Sequence, residues 1–274
     1  KVLPIMKQKK YDLKTTILSN QKVAEDHYML HCNCPEIAHS AEPGQFIHVL
    51  FDAGGGLLLR RPFTIYTIEG QQISMLYQVI GEGTSILSKM KPGTTIHVLG
   101  PLGNTFTVCD DLDLAIVVGG GAGIASLMLL ITELKTRQIE TSVLVGAMNE
   151  SRLLSQTDIQ DLGITPQIAT DDGSVGYQGL VTDLLSGLLS ETSKHRITVF
   201  TCGPYGMLKA VANICHKFDT VCQVAMENRM GCALGVCLGC VCKVRIETDS
   251  EEFEYQRVCT EGPVFSAPNI IWDI

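Results

Sequence analysis

Four cysteines in the C-terminal part of the chain have a spacing suited to binding iron. Cys232, Cys237, Cys240 and Cys259 follow the pattern C-x4-C-x2-C-x18-C, the plant-type arrangement of three close thiolates and one distant thiolate around a [2Fe-2S] cluster. Interleaved glycines would let the loop wrap closely and direct backbone N–H groups at the bridging sulfides. We therefore predict that these four cysteines are the ligands of one [2Fe-2S] cluster.

Two other uses of the same cysteines remain open. Structural zinc also takes four thiolates, but such sites usually have two C-x2-C pairs, and here Cys237 and Cys240 form one. Disulfides are disfavoured because no secretory signal precedes the chain and cytosolic thiols are kept reduced. Only one residue separates Cys242 from Cys240, which is too few for both thiols to bind the same cluster. We therefore interpret Cys242 as a neighbour of the cluster and not a ligand.

A glycine-rich loop is the second candidate site. Gly119, Gly120, Gly121 and Gly123 lie between an apolar run at 114–118 and a segment of helical composition at 124–137. Free N–H groups and the helix dipole at such a junction favour the pyrophosphate of a dinucleotide. The loop does not follow G-x-G-x-x-G, so a tight turn without a ligand is an equal alternative.

An arginine pair is the third candidate. Arg60 and Arg61 precede Pro62, Phe63 and Thr64. An arginine beside a hydroxyl residue on a strand can hold a diphosphate through bidentate, charge-assisted hydrogen bonds. Two adjacent arginines also occur on solvated edges, and the residues alone do not decide between these interpretations.

Three segments of different composition must position these residues. From about 11 to 108, short β-rich runs alternate with turns at 43–44, 54–56 and 92–93, which favours an antiparallel barrel. We predict strands at the runs 15–18, 45–50, 63–68, 73–77 and 95–99. Strand, turn and helix then alternate, which is typical of a parallel sheet covered by helices. The last segment is rich in Gly and Cys and carries an acidic run at 247–252, which we expect to be a solvated loop or hairpin tip. We predict domains at 1–109, 110–226 and 227–274.

Composition excludes several classes of function. Of the 274 residues 45% are hydrophobic and 18% are charged, so the chain can bury real cores. Its net charge of −8 opposes binding to nucleic acids and to anionic membranes. No apolar run approaches the roughly 20 residues that span a bilayer, and the first residues lack a signal-peptide core. We therefore expect a cytoplasmic protein without a nucleic-acid or membrane partner.

Taken together, the motifs resemble a known family. Arg61-Pro62-Phe63-Thr64 is similar to the R-P-[FLI]-[ST] signature of the ferredoxin-reductase superfamily. The stretch at 226–240 and the closing C-x-x-G-P-V-F at 259–265 resemble the electron-transfer subunit of type B dihydroorotate dehydrogenase. The resemblance covers nearly the whole chain and implies a multi-domain β plus α/β fold: an antiparallel FAD-binding β-barrel, a Rossmann-like parallel-sheet NAD domain and a small C-terminal [2Fe-2S] domain.

The resemblance also implies binding residues. Those for FAD are Arg61, Pro62, Phe63, Thr64, Leu76, Tyr77, Gln78, Gly83 and Thr84. At Gln78 the family usually has arginine, and an amide can donate a hydrogen bond but supplies no charge. Those for NAD are the glycine loop and Cys202-Gly203-Pro204, with Cys202 near the nicotinamide as a possible catalytic residue. A small buried residue is the alternative for Cys202, and Asp171-Asp172-Gly173 matches a family turn without an assigned role.

The implied function is electron transfer in pyrimidine (UMP) biosynthesis. An FMN-containing dihydroorotate dehydrogenase catalytic subunit, in a heterotetramer with two copies of each chain, would pass electrons through [2Fe-2S] and FAD to NAD+. One alternative is an NAD(P)H-dependent reductase for a ferredoxin, a hydrogenase or a sulfur-reducing partner. A second is a zinc-stabilised binding module without a redox role. The residues do not decide between NAD and NADP, although the family precedent favours NAD.

Overall fold

The structure is a computed structural model that describes residues 9–51, 58–247 and 251–272. The predicted glycine turn at 54–56, the first eight residues and positions 248–250 of the acidic run lie outside the described residues.

The N-terminal part forms a seven-stranded antiparallel sheet in the order β4-β3-β7-β1-β2-β6-β5. The strands are β1 Tyr11–Ala24, β2 His27–Asn33, β3 Phe46–Leu50, β4 Arg61–Thr64, β5 Ile68–Glu69, β6 Gln72–Gln78 and β7 Thr95–Leu102. Two short helices accompany them, α1 Pro35–Ser40 and α2 Glu82–Leu87. The sheet folds around a core of apolar side chains that includes Ile17, Leu30, Ile47, Ile73 and Ile96. It is barrel-like and open, because β4 and β5 are the two ends of the sheet.

The predicted strand at 63–68 is interrupted in the structure. Its backbone changes neighbour: Ile65 N–H donates to the Gln45 carbonyl beside β3, and Tyr66 N–H donates to the Ser74 carbonyl on β6. A segment that crosses from one strand to another cannot stay in register with either. This corner turns Tyr66 out of the barrel, where its hydroxyl donates a hydrogen bond to Asp158 in the following part of the chain.

The central part forms a second seven-stranded sheet in the order β11-β10-β9-β8-β12-β13-β16. Its strands are β8 Leu114–Gly120, β9 Thr141–Ala147, β10 Gln167–Thr170, β11 Tyr177–Gln178, β12 Ile197–Cys202, β13 Val221–Ala225 and β16 Val264–Ser266. The helices are α3 Met128–Thr136, α4 Gln156–Asp161, α5 Val181–Glu191 and α6 Tyr205–Lys217. All strand pairs are parallel except β13 with β16. Because β9 and β12 flank β8, the strand order reverses at β8, where open α/β sheets bind ligands.

The segment predicted to be helical from residue 124 begins differently. A 3-10 helix at Gly121–Leu127 precedes α3. A Cβ atom at Gly123 would lie 2.5 Å from the carbonyl oxygen of Cys202. The tighter helix therefore brings the loop against the end of β12, which only glycine at 123 allows.

The C-terminal part consists of the cysteine loop, a hairpin and a return to the second sheet. The hairpin strands are β14 Val241–Arg245 and β15 Phe253–Arg257. The described part of the acidic run lies between them, as expected for a hairpin tip. The chain then passes Cys259 and adds β16 to the edge of the central sheet, so the last predicted segment shares a sheet with the one before it. Within the described ranges, no helix is long and apolar enough to cross a membrane.

Candidate functional site

A cavity of about 530 Å³ opens at the carboxyl ends of the parallel strands. The glycine loop, Gly203 and Pro204 line one side, and His27 and Gln78 from the barrel line the other. The cavity therefore lies between the two sheets, at the position where the strand order reverses. A cavity of this size suits the nicotinamide end of a dinucleotide.

The residues of the glycine loop have different roles. Gly121 lines the cavity with φ of +52° and open space around its Cα, so its backbone can approach a ligand closely. Gly123 is needed for packing against β12, as described above. Packing therefore explains the glycine at 123, and Gly121 is the residue of this loop best placed to contact a dinucleotide.

Cys202 ends β12 and lies behind the cavity lining, with 1% of its surface exposed. Its Sγ lies 4.0 Å from Oε1 of Glu227. Burial raises the pKa of the Cys202 thiol, and the nearby Glu227 carboxylate raises it further. The thiol is therefore protonated at neutral pH, which suits a packing or hydrogen-bonding role behind the cavity and not a nucleophile.

Glu227 is a cavity residue that the sequence analysis missed. Its carboxyl group lines the cavity, and desolvation there raises its pKa. Nothing in its local sequence indicates this position, because it follows β13 and precedes the cysteine loop. Met148, Arg152 and Asp171 also line the cavity and were not predicted to do so.

The two adjacent arginines have separate functions. Arg60 forms an ion pair with Asp12, with 2.9 Å between Nη2 and Oδ1, and also donates to backbone carbonyls of His48 and His97. Arg61 forms no ion pair within the described part of the chain. Its guanidinium lies over Gly83 near the start of α2, where a Cβ atom would be 2.9 Å from Nε. Arg61 donates to the backbone carbonyls of Leu59 and Arg60 but has no carboxylate partner among the described residues, so its charge is available to an anionic ligand such as the diphosphate of FAD.

The other predicted flavin residues divide into accessible and buried ones. Gln78 lines the cavity at the end of β6. Leu76, Tyr77 and Phe63 are buried, and the Tyr77 hydroxyl donates to Asn20 Oδ1 at 2.9 Å. The Thr84 hydroxyl accepts the N–H groups of residues 80 and 81 at 3.0 and 3.2 Å, so it shapes the start of α2. Pro62 and Thr64 lie half-buried on β4 beside Arg61.

His48 is a buried polar residue next to the flavin motif. It is opposite Pro62 in the pairing of β3 with β4, and both ring nitrogens lack a hydrogen-bond partner in the described structure. Burial, followed by the charge of Arg60, lowers its pKa to about 4, so the ring is neutral. His48 is thus a neutral, unpartnered imidazole buried beside the strand that carries Arg61 and Pro62.

The cysteine loop is arranged to stabilise a thiolate. Cys232 Sγ accepts hydrogen bonds from the N–H groups of Leu234, Val236 and Cys237, each at 3.4 Å. Burial opposes ionisation, but these N–H groups and the Cys237 side chain outweigh it and lower the pKa of Cys232 to about 6. This backbone pattern is the one expected around a cluster ligand.

The four predicted ligands approach one another as two pairs. The side chain of Cys232 contacts that of Cys237, and the side chain of Cys240 contacts that of Cys259. Among the residues that the structure describes, no three His, Cys, Asp or Glu side chains are arranged to hold one metal ion. Two thiol pairs fit a [2Fe-2S] cluster, in which each iron takes two thiolates, better than a single tetrahedral zinc ion.

Cys242 lies on β14 opposite Gln256. Burial, followed by repulsion from Cys240, raises the pKa of its thiol to about 11. It packs against the core beneath the loop, an environment that keeps the thiol protonated. The interpretation of Cys242 as a neighbour and not a ligand stays a prediction.

Known proteins resemble the chain over nearly its whole length. A protein-family model described as "Iron-sulfur cluster binding domain of dihydroorotate dehydrogenase B" matches residues 227–271. A protein of Caldanaerobacter subterraneus subsp. tengcongensis, named "Dihydroorotate dehydrogenase B (NAD(+)), electron transfer subunit", is 35% identical over 96% of this chain and 100% of its own length. A protein of the same name from Desulforamulus reducens is 34% identical over 97% of this chain and 99% of its own.

Solved structures share the fold. A chain from a study of flavin-based electron bifurcation by an NADH-dependent reduced ferredoxin-NADP oxidoreductase aligns with a TM-score of 0.83 at 27% identity, over 94% of this chain and 90% of that one. A cytochrome P450 reductase from Amycolatopsis aligns with a TM-score of 0.63 at 19% identity, over 77% of this chain and 67% of that one. The second likeness concerns the fold alone and supports a ferredoxin-reductase-like architecture.

Proposed function

The chain belongs to the family of dihydroorotate dehydrogenase B (NAD+) electron-transfer subunits, and we propose that it carries electrons from a dihydroorotate-oxidising partner to NAD+ through one [2Fe-2S] cluster and FAD. Relatives that bear this name cover nearly all of the chain. The observation that carries the proposal for this chain is the cysteine loop, in which three backbone N–H groups stabilise the thiolate of Cys232.

Each part of the chain has a distinct task in this proposal. We assign FAD binding to 1–109, NAD binding to 110–226 and the cluster to 227–274. Bound FAD and the cluster supply the redox chemistry, in which flavin links single-electron exchange with the cluster to hydride exchange with nicotinamide. The four predicted cysteines hold the cluster.

The binding residues prepare the site for these groups. Arg61 and the start of α2 would hold the FAD diphosphate, and the Gln78 amide in the cavity lining would donate a hydrogen bond to the cofactor. Gly121 lets the dinucleotide come close to the main chain, and Gly203 and Pro204 line the same side of the cavity. Glu227 presents a hydrogen-bond acceptor on that side, and the protonated thiol of Cys202 supports it from behind. The physiological dinucleotide that we propose is NAD.

The proposed partner is an FMN-containing catalytic subunit, two copies of which assemble with two copies of this chain in the cytoplasm. Three apolar side chains of the cysteine loop are exposed, Leu234, Val236 and Leu238, and Val236 exposes 79% of its surface. A partner that covers these side chains removes apolar surface from water and comes close to the cluster ligands. A partner subunit that docks at the cysteine loop would therefore bury these apolar side chains and also shorten the electron path from its FMN to the cluster.

The test is co-expression of the chain with an FMN-containing dihydroorotate dehydrogenase subunit from the same genome. We expect a coloured complex that contains iron, acid-labile sulfide, FMN and FAD and that forms NADH from dihydroorotate. Replacement of Cys259 by Ser should abolish NADH formation from dihydroorotate but leave NADH-dependent dye reduction through FAD. A colourless chain after anaerobic reconstitution, or a partner subunit that transfers no electrons to it, would contradict the proposal.

A second candidate function is reduction of a different electron carrier. The likeness to the NADH-dependent reduced ferredoxin-NADP oxidoreductase favours it, because that alignment also spans most of both chains. NADH-driven reduction of a ferredoxin at a rate above that of dihydroorotate-dependent NADH formation would favour this candidate. We expect the opposite order.

A further inference from the structure

We propose that Arg257 and Glu261 form a clamp that positions the cysteine loop against the turn carrying Cys259 and sets the reduction potential of the cluster. This inference rests on the proposed function, because it requires a cluster on the four cysteines. It concerns two residues outside the ligand set, one before and one after the fourth ligand.

The side chain of Arg257 joins the two parts of the cluster site. At the end of β15, Arg257 Nη1 donates to the carbonyl oxygen of Gly235 at 3.0 Å. Gly235 lies in the cysteine loop with φ of +79°, and a Cβ atom there would be 3.2 Å from Nη1 and 3.0 Å from Thr260 Cγ2. The loop therefore packs directly on the guanidinium and the turn.

Glu261 fixes the orientation of that guanidinium. Its Oε2 accepts hydrogen bonds from Arg257 Nε and from the Arg257 backbone N–H, both at 2.8 Å. Its Oε1 accepts from Arg257 Nη2 and from the Thr260 hydroxyl. Both carboxylate oxygens are thus engaged, and the planar guanidinium is held in a bidentate arrangement.

The backbone of Arg257 also organises the turn. Its carbonyl oxygen accepts the N–H groups of Thr260, Glu261 and Gly262 at 3.1, 2.9 and 3.2 Å. Cys259 lies inside this turn, and Val258 N–H donates to the carbonyl of Cys240 at 2.9 Å. Arg257 therefore binds the cysteine loop through its side chain and sets the position of Cys259 relative to Cys240 through its backbone.

The clamp is better suited to positioning than to stabilising the fold. The side chains of Arg257 and Glu261 are 37% and 33% exposed, and ion pairs with such access to water contribute little to stability. Their charges nevertheless lie next to the thiols. The guanidinium reaches the cysteine loop at Gly235, and the residue that follows Arg257, Val258, donates its N–H to the Cys240 carbonyl.

The two charges should affect the cluster in opposite directions. Reduction adds one electron to a cluster that four thiolates already make negative, so a nearby cation favours the reduced state and a nearby anion opposes it. Loss of Arg257 also frees Gly235, whose N–H donates to the thiol of Cys259. Arg257→Gln should therefore lower the reduction potential of the cluster, and Glu261→Gln should raise it.

The experiment uses the complete complex with its partner subunit and follows the cluster by its EPR signal during a redox titration. We expect a lower midpoint potential for Arg257→Gln, a higher one for Glu261→Gln, and a value near wild type for Arg257→Lys, which keeps the charge. Loss of iron in air should be several-fold faster for both Gln variants, because each releases the loop. FAD content and NADH-dependent dye reduction should not change.

A matched control comes from the same hairpin. Arg245 on β14 donates to the carbonyls of Pro268 and Ile270, each at 3.2 Å, and the potential of Arg245→Gln should equal that of wild type. A merely structural role of the clamp would shift both Gln variants in the same direction or not at all, and either result overturns the proposal. If the wild-type complex itself contains no iron, the proposed function fails together with the clamp.

Discussion

The side-chain amide of Asn104 pairs with the backbone of Val264 as a neighbouring strand would. Asn104 Nδ2 donates to the Val264 carbonyl at 2.8 Å, and Asn104 Oδ1 accepts the Val264 N–H at 2.9 Å. Nδ2 also donates to the carbonyl of Glu261 at 2.8 Å, and the Asn104 N–H donates to Gly262. Asn104, which follows β7 of the first sheet, thereby holds in place the segment that links Cys259 to β16.

Replacement of Asn104 by Ala should destabilise the chain by about 1–3 kcal/mol, the cost of leaving backbone groups without partners. Iron should also be lost faster, because the segment after the fourth ligand is released. Urea unfolding and iron retention measure the two effects. The stability and iron retention of Asn104→Asp, which keeps the acceptor but loses the donor, should lie between those of Asn104→Ala and wild type. If Asn104→Ala equals wild type in both measurements, this role of Asn104 is wrong.

The two arginines of the flavin motif should respond differently to substitution. Arg61→Gln should weaken FAD binding by roughly 10- to 100-fold, because a hydrogen bond to a charged group contributes about 1.5–3 kcal/mol. Arg60→Gln should leave FAD affinity within a few-fold of wild type, since Arg60 is engaged with Asp12. Titration of the deflavinated chain with FAD gives both dissociation constants. Equal losses in the two variants would show that Arg61 is not the diphosphate ligand.

In the iron-free, reduced chain, Cys232 should react much faster than Cys259, although both are predicted cluster ligands. Its pKa of about 6 is below that of an ordinary thiol, so its alkylation rate should rise as the pH increases through 6 and stay level above about 7. Cys259, with a pKa raised to about 11 by burial and by Cys240, should react slowly over the same range. Mass spectrometry of iodoacetamide-treated chain at a series of pH values measures each site. The folded chain should lose the stabilisation from the Cys232 thiolate as the pH falls through 6.

Glu227 should matter for the reaction with NAD+. Glu227→Gln removes a carboxylate from the cavity that we propose for NAD, and loss of one charge-assisted interaction of about 1.5–3 kcal/mol should lower kcat/KM for NAD+ by roughly tenfold or more. The wild-type rate should fall as the pH drops through the pKa of Glu227, which desolvation raises above its usual value. Steady-state assays between pH 4.5 and 8, a range chosen to bracket an upward-shifted carboxyl pKa, should show this acid limb in wild type and not in the Gln variant. An identical pH profile for both would exclude the role.

Asp171 should select NAD over NADP. It lines the cavity after β10, where its negative charge would repel the extra 2′-phosphate of NADP. Asp171→Asn should raise the ratio of kcat/KM for NADPH to that for NADH by roughly tenfold, the effect of about 1.4 kcal/mol. Asp172→Asn is the matched control, because the Asp172 carboxylate accepts the Ser174 N–H at 2.9 Å. A ratio that changes equally in both variants would place the ribose elsewhere.

Much of the fold follows from local patterns in the sequence. Apolar alternation predicts strands near β3, β6 and β7, and buried runs followed by helical segments predict β8, β9, β12 and β13. The strands β2, β14 and β15 and the short strands β11 and β16 were not predicted. Pairing partners stabilise these strands, and a single segment carries little information about its partners.

The sequence by itself determined which residues are candidates for binding a cluster or a nucleotide. The cysteine spacing, the glycine loop and the arginine pair are local signals, because ligands of a compact group must be close along the chain or follow a fixed pattern. Tertiary structure alone decided which of two adjacent arginines lacks an ion pair, that Glu227 reaches the cavity, and that Arg257 binds the Gly235 carbonyl of the cysteine loop. Asn104 and Val264 are 160 positions apart. Contacts at such separations depend on strand register and on how the two sheets meet, and no local pattern of residues encodes either.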